Sequence, residues 1–521
     1  MVKSPISLTR RGKFILLAVF VVSALAPFFT SDSRVPSSLP NPGVLPQSPH
    51  ADGVQNGFSD SVDDKSRHSG SAKTPSKDST VKEDGLRDAV GCQVDLDFLR
   101  LYSPEDSVQY TRWEIDVVRS NKFTSFSEKL DLPPPSTDYT LLHLNGESQH
   151  MTLPKGRCGS KITIQAPVPA PKPDASHLIF GVATTLGRLS DSIEPFAQWA
   201  GGTKARLIAV VEDDGVVEKK SILQRAADLD VRLTILESDA EYLDRYFSLT
   251  QVLLQNMESS TKWAVLIDDD TFFPSMSQLV DRLATYDASK PYYVGAVTED
   301  LSQMASFGYV GYGGAGIFLS APLLQEMNQF YDDCYTYEDT GDIRVARCIY
   351  LHTTTKLTWD RRLFQMDLHS DASGFYESGR QLPLSIHHWR TPEWYPVDVV
   401  AMSKAARICG DDCQLQRWHL GGSWYLVNGF AVVQYSEPLQ GMDLIAMEQT
   451  WELTEWSRED DYAFSLGPLR PMDPGKVLFR LQRAVLEGPN RLRQIYMRES
   501  ISDDGPTQVV EVIWTDVSKG R

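Results

Sequence analysis

Residues 263–270 read WAVLIDDD, five apolar residues followed by three adjacent aspartates. An apolar run of this length predicts a strand that is buried on both faces of a parallel sheet. Ligands of open α/β sheets bind beyond the carboxyl ends of the strands, which is where Asp268, Asp269 and Asp270 stand. Because three adjacent carboxylates repel one another, the triplet favours a site for a hard divalent cation and a diphosphate. A solvated acidic turn is the alternative that the triplet by itself leaves open.

Predicted strands and helices alternate on both sides of this run. Such alternation is typical of a mostly parallel sheet with helices on both faces. Hydrophobic patterns predict strands over residues 178–183, 207–211, 231–236, 263–267 and 292–297, and helices over residues 220–229 and 242–257. We therefore expect an α/β domain over residues 173–400 and a mixed segment over 401–521 that packs on it, with strands over 424–428 and 431–435.

The chain has 521 residues and a formal net charge of -18 at pH 7. This length allows two or three domains with a large core. The negative charge argues against a nucleic-acid-binding protein, because phosphate contacts need Lys and Arg side chains.

The N-terminal segment has a charge pattern of its own. Four basic residues precede an uncharged apolar stretch over residues 14–31: Lys3, Arg10, Arg11 and Lys13. The stretch is just long enough to span a bilayer, with the basic flank on the cytoplasmic side. A cleavable signal peptide is the alternative, since residues 24–26 resemble a cleavage site, although Pro27 disfavours cleavage. We predict a cytoplasmic tail (1–13), an uncleaved signal anchor (14–31) and a lumenal remainder.

Two segments separate this anchor from the α/β domain. Residues 32–88 are rich in Ser, Pro, Asp, Lys and Gly, a composition that cannot bury a core and therefore predicts a disordered stem. Residues 89–172 carry short apolar runs at 139–142 and 161–164, which predict a small β-rich module. Prolines over residues 166–173 then indicate a stiff linker.

The six cysteines fit three disulfides in a lumenal compartment. Connectivity does not follow from sequence alone, and pairing of nearest neighbours is the simplest hypothesis: Cys92 with Cys158, Cys334 with Cys348, and Cys409 with Cys413. Free buried thiols are the alternative.

Two further segments offer residues for ligand binding. The strand predicted over 178–183 leads into Thr184, Thr185 and Arg188, which suits either a nucleotide at the sheet edge or an ordinary strand-to-helix turn. Residues 312–316 read YGGAG, and such glycines permit either close approach of a ligand to the backbone or a tight bend.

An acid and a histidine pair complete the candidates. Asp342 falls in the first turn of a predicted helix, where a carboxylate also has the simple role of stabilising the helix N-terminus. His387 and His388 follow an apolar stretch. Adjacent side chains of a strand face opposite ways, so at most one imidazole is expected to point into a given site. Imidazole is a better ligand for Mn²⁺ than for Mg²⁺.

Taken in order, four segments resemble one family: residues 263–272 (WAVLIDDDTF), 312–320 (YGGAGIFLS), 341–349 (GDIRVARCI) and 385–388 (SIHH). They resemble the Fringe-like glycosyltransferases of the family 31 group, and most of all its Fringe-related branch of uncharacterised plant and fungal proteins. The resemblance covers roughly residues 173–440. It implies a GT-A fold and an inverting, β-1,3-type transfer of a sugar from a UDP-sugar to a hydroxyl of a glycan or glycoprotein. It also implies a single-pass type II protein of the Golgi membrane with a lumenal catalytic part.

The resemblance further implies roles for single residues. Asp270 and His388 would bind Mn²⁺ or Mg²⁺, with His387 as the alternative to His388. Asp268 would lie near the ribose and is a further candidate metal ligand. Asp269 would have a role between nucleotide binding and metal binding. The other roles are these: Asp342 as catalytic base, with Gly341 in place of the family's preceding acid; Thr184, Thr185 and Arg188 at the uridine; and Gly314, Ala315 and Gly316 along the donor sugar.

Two other functions remain open at this point. The missing acid at Gly341 is compatible with a GT-A fold that binds a UDP-sugar or glycan without turnover. A metal-dependent hydrolase or nucleotidyltransferase would be expected to carry further acidic ligands on a neighbouring strand end. Residues 212–214 (Glu-Asp-Asp) are the candidates for such ligands.

Overall fold

The computed structural model describes residues 91–101, 103, 106–339, 341–498 and 506–520. The predicted tail, anchor and stem (1–88) lie outside these residues. The described strands are β1 (Cys92–Asp95), β2 (Ser107–Ser120), β3 (Thr140–His143), β4 (His150–Leu153), β5 (Ser160–Pro167), β6 (Leu178–Thr185), β7 (Arg206–Glu212), β8 (Arg232–Glu237), β9 (Trp263–Ile267), β10 (Tyr293–Gly295), β11 (Ile317–Ser320), β12 (Leu357–Trp359), β13 (Arg417–Gly421), β14 (Trp424–Val427), β15 (Ala431–Gln434), β16 (Met447–Gln449), β17 (Leu469–Pro471), β18 (Val477–Leu486), β19 (Arg491–Arg498) and β20 (Thr507–Asp516).

Helices connect these strands, together with short 3₁₀ turns. They are α1 (Leu96–Arg100), α2 (Leu186–Trp199), α3 (Lys219–Asp228), α4 (Tyr242–Gln255), α5 (Met276–Leu283), α6 (Leu301–Phe307), α7 (Ala321–Met327), α8 (Tyr331–Tyr335), α9 (Gly341–His352), α10 (Ser373–Glu377), α11 (Val399–Cys409) and α12 (Ala463–Leu466). None of these helices has both the length and the apolar character needed to cross a membrane.

The first sheet has seven strands in the order β12-β10-β11-β9-β6-β7-β8. Within this sheet β11 alone is antiparallel to its neighbours, which confirms the expectation of a mostly parallel arrangement. Alternate side chains of β6 enter two separate core layers: Phe180 packs with α2, α3 and α5, whereas Ile179 packs with α4, α7 and α9. Because β9 is buried on both faces, its carboxyl end opens at the middle of the sheet edge.

Strand β9 spans residues 263–267, as predicted, whereas β10 is shorter than the predicted strand over 292–297. The chain leaves the sheet after Gly295, because the carbonyl of Ala296 accepts a hydrogen bond from the Tyr312 amide in the glycine loop. This bond brings residues 312–316 to the end of β10.

A second sheet contains strands from both flanking segments, 89–172 and 401–521, which the sequence predicts to be separate parts. Its order is β13-β14-β15-β18-β19-β20-β2-β3, and β5 also pairs with β2. Strands β2 and β20 pair in parallel over ten residue pairs, from Val108 with Thr507 to Val117 with Asp516. The described parts of residues 89–172 and 401–521 therefore form one β-rich unit, with α11 packed between this sheet and α2.

The three predicted disulfides are all present. Cys92 is bonded to Cys158, Cys334 to Cys348, and Cys409 to Cys413. The second of these bonds joins α8 to α9, the helix whose first turn carries Asp342.

Candidate active site

The acidic triplet and the glycine loop are held together by Thr271. Its hydroxyl oxygen accepts a hydrogen bond from the Asp268 amide at 3.0 Å and donates one to the Gly314 carbonyl at 2.9 Å. The triplet follows β9 and the glycine loop precedes β11, and these two strands pair with each other. The site therefore lies at the carboxyl end of β9, where the sequence predicts it.

Asp269 is turned away from the other two acids and towards β6. Its buried carboxylate accepts hydrogen bonds from Nε of Arg188 at 2.6 Å, from Nη2 of Arg188 at 2.5 Å and from the Thr184 hydroxyl. These bonds come first among the causes that raise the pKa of Arg188. The negative charge of Asp269 thus positions Arg188, whose side chain is 49% exposed and faces the sheet edge.

Thr185 has a structural contact in the described residues. Its hydroxyl accepts a hydrogen bond from the Arg188 amide at 3.3 Å and so caps the N-terminus of α2. Such caps typically contribute about 1 kcal/mol. This contact fits the ordinary strand-to-helix turn that the sequence leaves open for this segment.

Asp270, His387 and His388 form a cluster that could hold a metal ion. One ligand atom from each side chain lies within 4.8 Å of the others. Nε2 of His387 is 2.9 Å from Oδ1 of Asp270 and 3.5 Å from Oδ2 of Asp268. A carboxylate with two imidazoles, beside a second carboxylate, is a donor set that fits Mn²⁺.

The expectation that only one of the two histidines points into the site is wrong. Residues 385–388 do not form a strand: Ser385 and Ile386 make isolated bridges, and His388 has a φ of 53°. This left-handed backbone conformation removes the alternation of a strand, so the two rings lie on the same side with centroids 3.9 Å apart.

A backbone contact orients the His387 ring. Its Nδ1 lies 3.0 Å from the carbonyl oxygen of Gln365. A carbonyl only accepts hydrogen bonds, so Nδ1 carries the proton and Nε2 faces Asp268 and Asp270. This arrangement is the usual support for a metal-binding imidazole.

The carboxylates make the site strongly negative. Burial lowers the pKa of His387, but Asp270, Asp268 and Asp367 outweigh burial and raise it to about 10. Desolvation raises the pKa of Asp268 to about 7, with Asp270 and Asp342 adding to this rise and His387 opposing it. Burial also raises the pKa of Asp270, but His387, His388 and Arg188 together outweigh burial and hold this pKa below its usual range. The carboxylates of Asp268, Asp270 and Asp367 therefore together favour a positive charge beside His387.

The glycine loop packs directly behind His387. A Cβ atom on Gly314 would lie 2.2 Å from Nδ1 of His387, so only glycine fits there. Ala315 is fully buried, and its amide donates to Oε1 of Gln365 at 3.0 Å. Gly316 has a φ of 93°, which favours glycine. The loop thus supports the histidine and brings Gly314 against the His387 ring.

We expect Gly314→Ala to displace the His387 ring, because the new methyl group has no room beside Nδ1. Mn²⁺ affinity should fall about tenfold or more, the scale on which loss of an imidazole's orientation acts. Titration of Mn²⁺ by electron paramagnetic resonance (EPR) measures this. Gly156→Ala is the matched control, since nothing lies within 4 Å of a Cβ atom there. Equal Mn²⁺ affinity in the two variants would contradict the packing argument.

Asp342 lies across the glycine loop from the triplet. Its Oδ1 accepts a hydrogen bond from the Ile343 amide at 2.8 Å, and its Oδ2 lies 3.4 Å from the Gly313 amide. Its charge is among the causes that raise the pKa of Asp268. The predicted base and the predicted nucleotide-binding acids therefore share one site.

Tyr246 explains the glycine that precedes this acid. A Cβ atom on Gly341 would lie 2.5 Å from Cδ1 of the Tyr246 ring. Burial raises the pKa of the Tyr246 phenol, and Asp268 and Asp342 raise it further. An aromatic ring from α4 therefore fills the place of the missing acid.

The sequence gives no local signal for several residues of this site. Gln365 and Asp367 contact the histidines from a segment without a recognisable motif, and Tyr246 belongs to an ordinary amphipathic helix. Arg390 lies 3.7 Å from Asp269, and its position two residues after the histidine pair is a signal that could have identified it.

The model of the family described as Fringe-like matches residues 216–398. Residues 216–398 form a Fringe-like domain. The match contains the acidic triplet, the glycine loop, Asp342 and both histidines, whereas Thr184, Thr185 and Arg188 precede it. The resemblance seen in the sequence is thereby confirmed.

A human beta-1,3-glucosyltransferase is similar to the chain, with 26% identity over 160 residues. The matched region is 30% of this chain and 31% of that protein, so the chain spans about a third of the length of this curated relative.

Two solved structures illustrate the structural comparison. The mannosyltransferase PcManGT from Pyrobaculum calidifontis, in complex with GDP-Man and Mn²⁺, is 14% identical with a TM-score of 0.26, covering 35% of this chain and 55% of that one. The glycosyltransferase GlyE of Streptococcus pneumoniae is 13% identical with a TM-score of 0.27, covering 42% and 55%.

Proposed function

We propose that this protein is a metal-dependent, inverting glycosyltransferase that moves a sugar from a UDP-sugar to a hydroxyl of a glycan or glycoprotein. The observation that carries the proposal is the meeting of Asp270, His387 and His388 with Asp342 in one site at the carboxyl end of β9. The name of the human relative supports a β-1,3 linkage. The proposed setting is the Golgi membrane, for which the support is the basic flank and uncharged stretch of residues 1–31.

Each group has a part in this reaction. Asp342 takes the proton of the acceptor hydroxyl as that oxygen attacks the anomeric carbon. Asp270, His387 and His388 would hold the ion, which supplies positive charge to the leaving diphosphate. Arg188, oriented by Asp269, offers a guanidinium to the nucleotide. One attack assisted by one base inverts the anomeric centre and requires no covalent intermediate.

A panel of donors tests the proposal. The full-length protein in detergent is incubated with UDP-glucose, UDP-galactose, UDP-N-acetylglucosamine and UDP-N-acetylgalactosamine, with Mn²⁺, with Mg²⁺ or with a chelator. Released UDP reports turnover, and the anomeric configuration of any product is read by nuclear magnetic resonance. We expect UDP release from at least one donor, supported best by Mn²⁺ and abolished by the chelator. GDP-mannose serves as the control donor.

The same panel separates the rival functions. Thermal stabilisation by a UDP-sugar without UDP release would favour the binding module and overturn the proposed transfer. The hydrolase hypothesis has less support, because Glu212 is paired with Arg245 at 2.9 Å and Asp214 accepts from the Gly187 amide at 3.0 Å. Neither acid belongs to the metal-capable cluster of the described residues.

A further inference from the structure

His388 is held in one orientation from two sides. Its Nε2 lies 3.2 Å from Oδ1 of Asp367. Its ring stacks on Trp394 with centroids 3.7 Å apart and planes 8° apart, and His369 stacks on Trp394 at 4.3 Å. The left-handed backbone of His388, with a φ of 53°, carries the ring into this position. Such a conformation is unfavourable outside glycine and is often retained for function.

Asp367 is itself fixed within the fold. It is 5% exposed, its amide donates to Oε2 of Glu299 at 3.0 Å, and its carboxylate is hydrogen-bonded to the Thr298 side chain. A buried carboxylate of this kind requires a hydrogen-bonding partner, and His388 supplies one.

The two histidines are supported in complementary ways. Because a carboxylate accepts the proton on Nε2 of His388, the lone pair of this ring is left on Nδ1. In His387 the carbonyl of Gln365 accepts the proton on Nδ1, so Nε2, which faces Asp270, is the nitrogen on which a metal ion would replace a proton. Adjacent residues thus offer opposite ring nitrogens, and one nitrogen of each falls within 4.8 Å of an Asp270 oxygen.

We propose that Asp367 is a positioning residue that makes His388 a second imidazole ligand, so that one metal ion is bound by Asp270, by Nε2 of His387 and by Nδ1 of His388. This inference rests on the proposed metal-dependent function and extends it, since the resemblance implies one histidine ligand. Two imidazoles make the site more selective for Mn²⁺ over Mg²⁺ than a carboxylate site is.

The test uses the full-length protein with Mn²⁺ alone and no donor. Pulsed EPR counts the imidazole nitrogens on bound Mn²⁺, and titration of the free Mn²⁺ signal gives the Kd. We expect two nitrogens in the unmodified protein and one in His388→Gln. Asp367→Asn should raise the Kd about 10–100-fold, the usual effect of losing a carboxylate behind a metal-binding imidazole.

Asp516→Asn is the matched control, because Asp516 is 1% exposed, is paired with Arg119 and belongs to the second sheet. A single nitrogen in the unmodified protein, no Mn²⁺ binding, or an unchanged Kd in a folded Asp367→Asn variant would each overturn the inference. The nitrogen count needs no variant, so it decides the matter even if Asp367→Asn fails to fold. Two imidazole nitrogens on bound Mn²⁺, without UDP release from any donor, would support this inference and contradict the proposed transfer.

Discussion

Asp342→Asn is expected to lower the rate of sugar transfer by about 10²–10⁴-fold, the usual contribution of a general base. The amide keeps the size of the side chain but cannot take the proton of the acceptor hydroxyl. UDP and Mn²⁺ should bind nearly as before, because Asp342 lies across the glycine loop from the metal-ligand cluster. Steady-state transfer, with UDP binding measured by calorimetry, checks both parts of this expectation.

Asp333→Asn is the matched control for this variant. Asp333 also lies in the first turn of a helix, α8, but is exposed and outside the site. It therefore reports the loss of a helix-terminal charge without loss of a base. If Asp342→Asn transferred sugar at the normal rate, the base would have to be another residue. A parallel loss of UDP binding would indicate that Asp342 holds the donor.

Asp270→Asn is expected to abolish Mn²⁺-dependent transfer, with a loss of about 100-fold or more. A metal ion contributes several kcal/mol of charge stabilisation, and each 1.4 kcal/mol is about a factor of ten in rate. The amide is a weaker ligand and leaves His387, now 2.9 Å from a carboxylate oxygen, without that counter-charge. Mn²⁺ titration and transfer rates over a range of Mn²⁺ concentrations measure the two consequences.

Asp360→Asn controls for the loss of a buried carboxylate. Asp360 is 2% exposed and pairs with Arg282 at 2.6 Å, without a contact to the metal-ligand cluster among the described hydrogen bonds and ion pairs. A chelator should reduce the unmodified protein to the level of Asp270→Asn. Full activity of the variant, or activity that survives chelation, would remove Asp270 from the metal site.

Local patterns predicted β6 to β10 of the sheet around the site, but neither β11 nor β12. The apolar run over residues 263–267 is a strand with the predicted ends, because every one of its side chains is buried and a run of this length is short for a buried helix. The three disulfides likewise follow the nearest-neighbour hypothesis. The strand signal stands in consecutive residues, whereas the disulfide pairing follows only the order of the cysteines along the chain.

The pairing of the two flanking segments has no such local signal. Strand β2 pairs with β20 through partners such as Ile115 and Trp514, about 400 residues apart in the chain. Nothing in either strand specifies the other, since β2 is mostly alternating and β20 carries a nearly continuous apolar run, and neither pattern selects a partner. The joining of the two segments was therefore beyond a reading of the sequence.

The sequence by itself determined that an acidic triplet ends a buried strand, that a glycine loop and Asp342 follow, and that two histidines come later. Only the tertiary structure decided the direction of each side chain. Asp269 turns to Arg188, both histidines turn to Asp270, and Tyr246 takes the space beside Gly341. Residue type and order fix which groups are available, whereas their directions depend on backbone angles and on partners far away in the chain, such as Gln365 and Asp367.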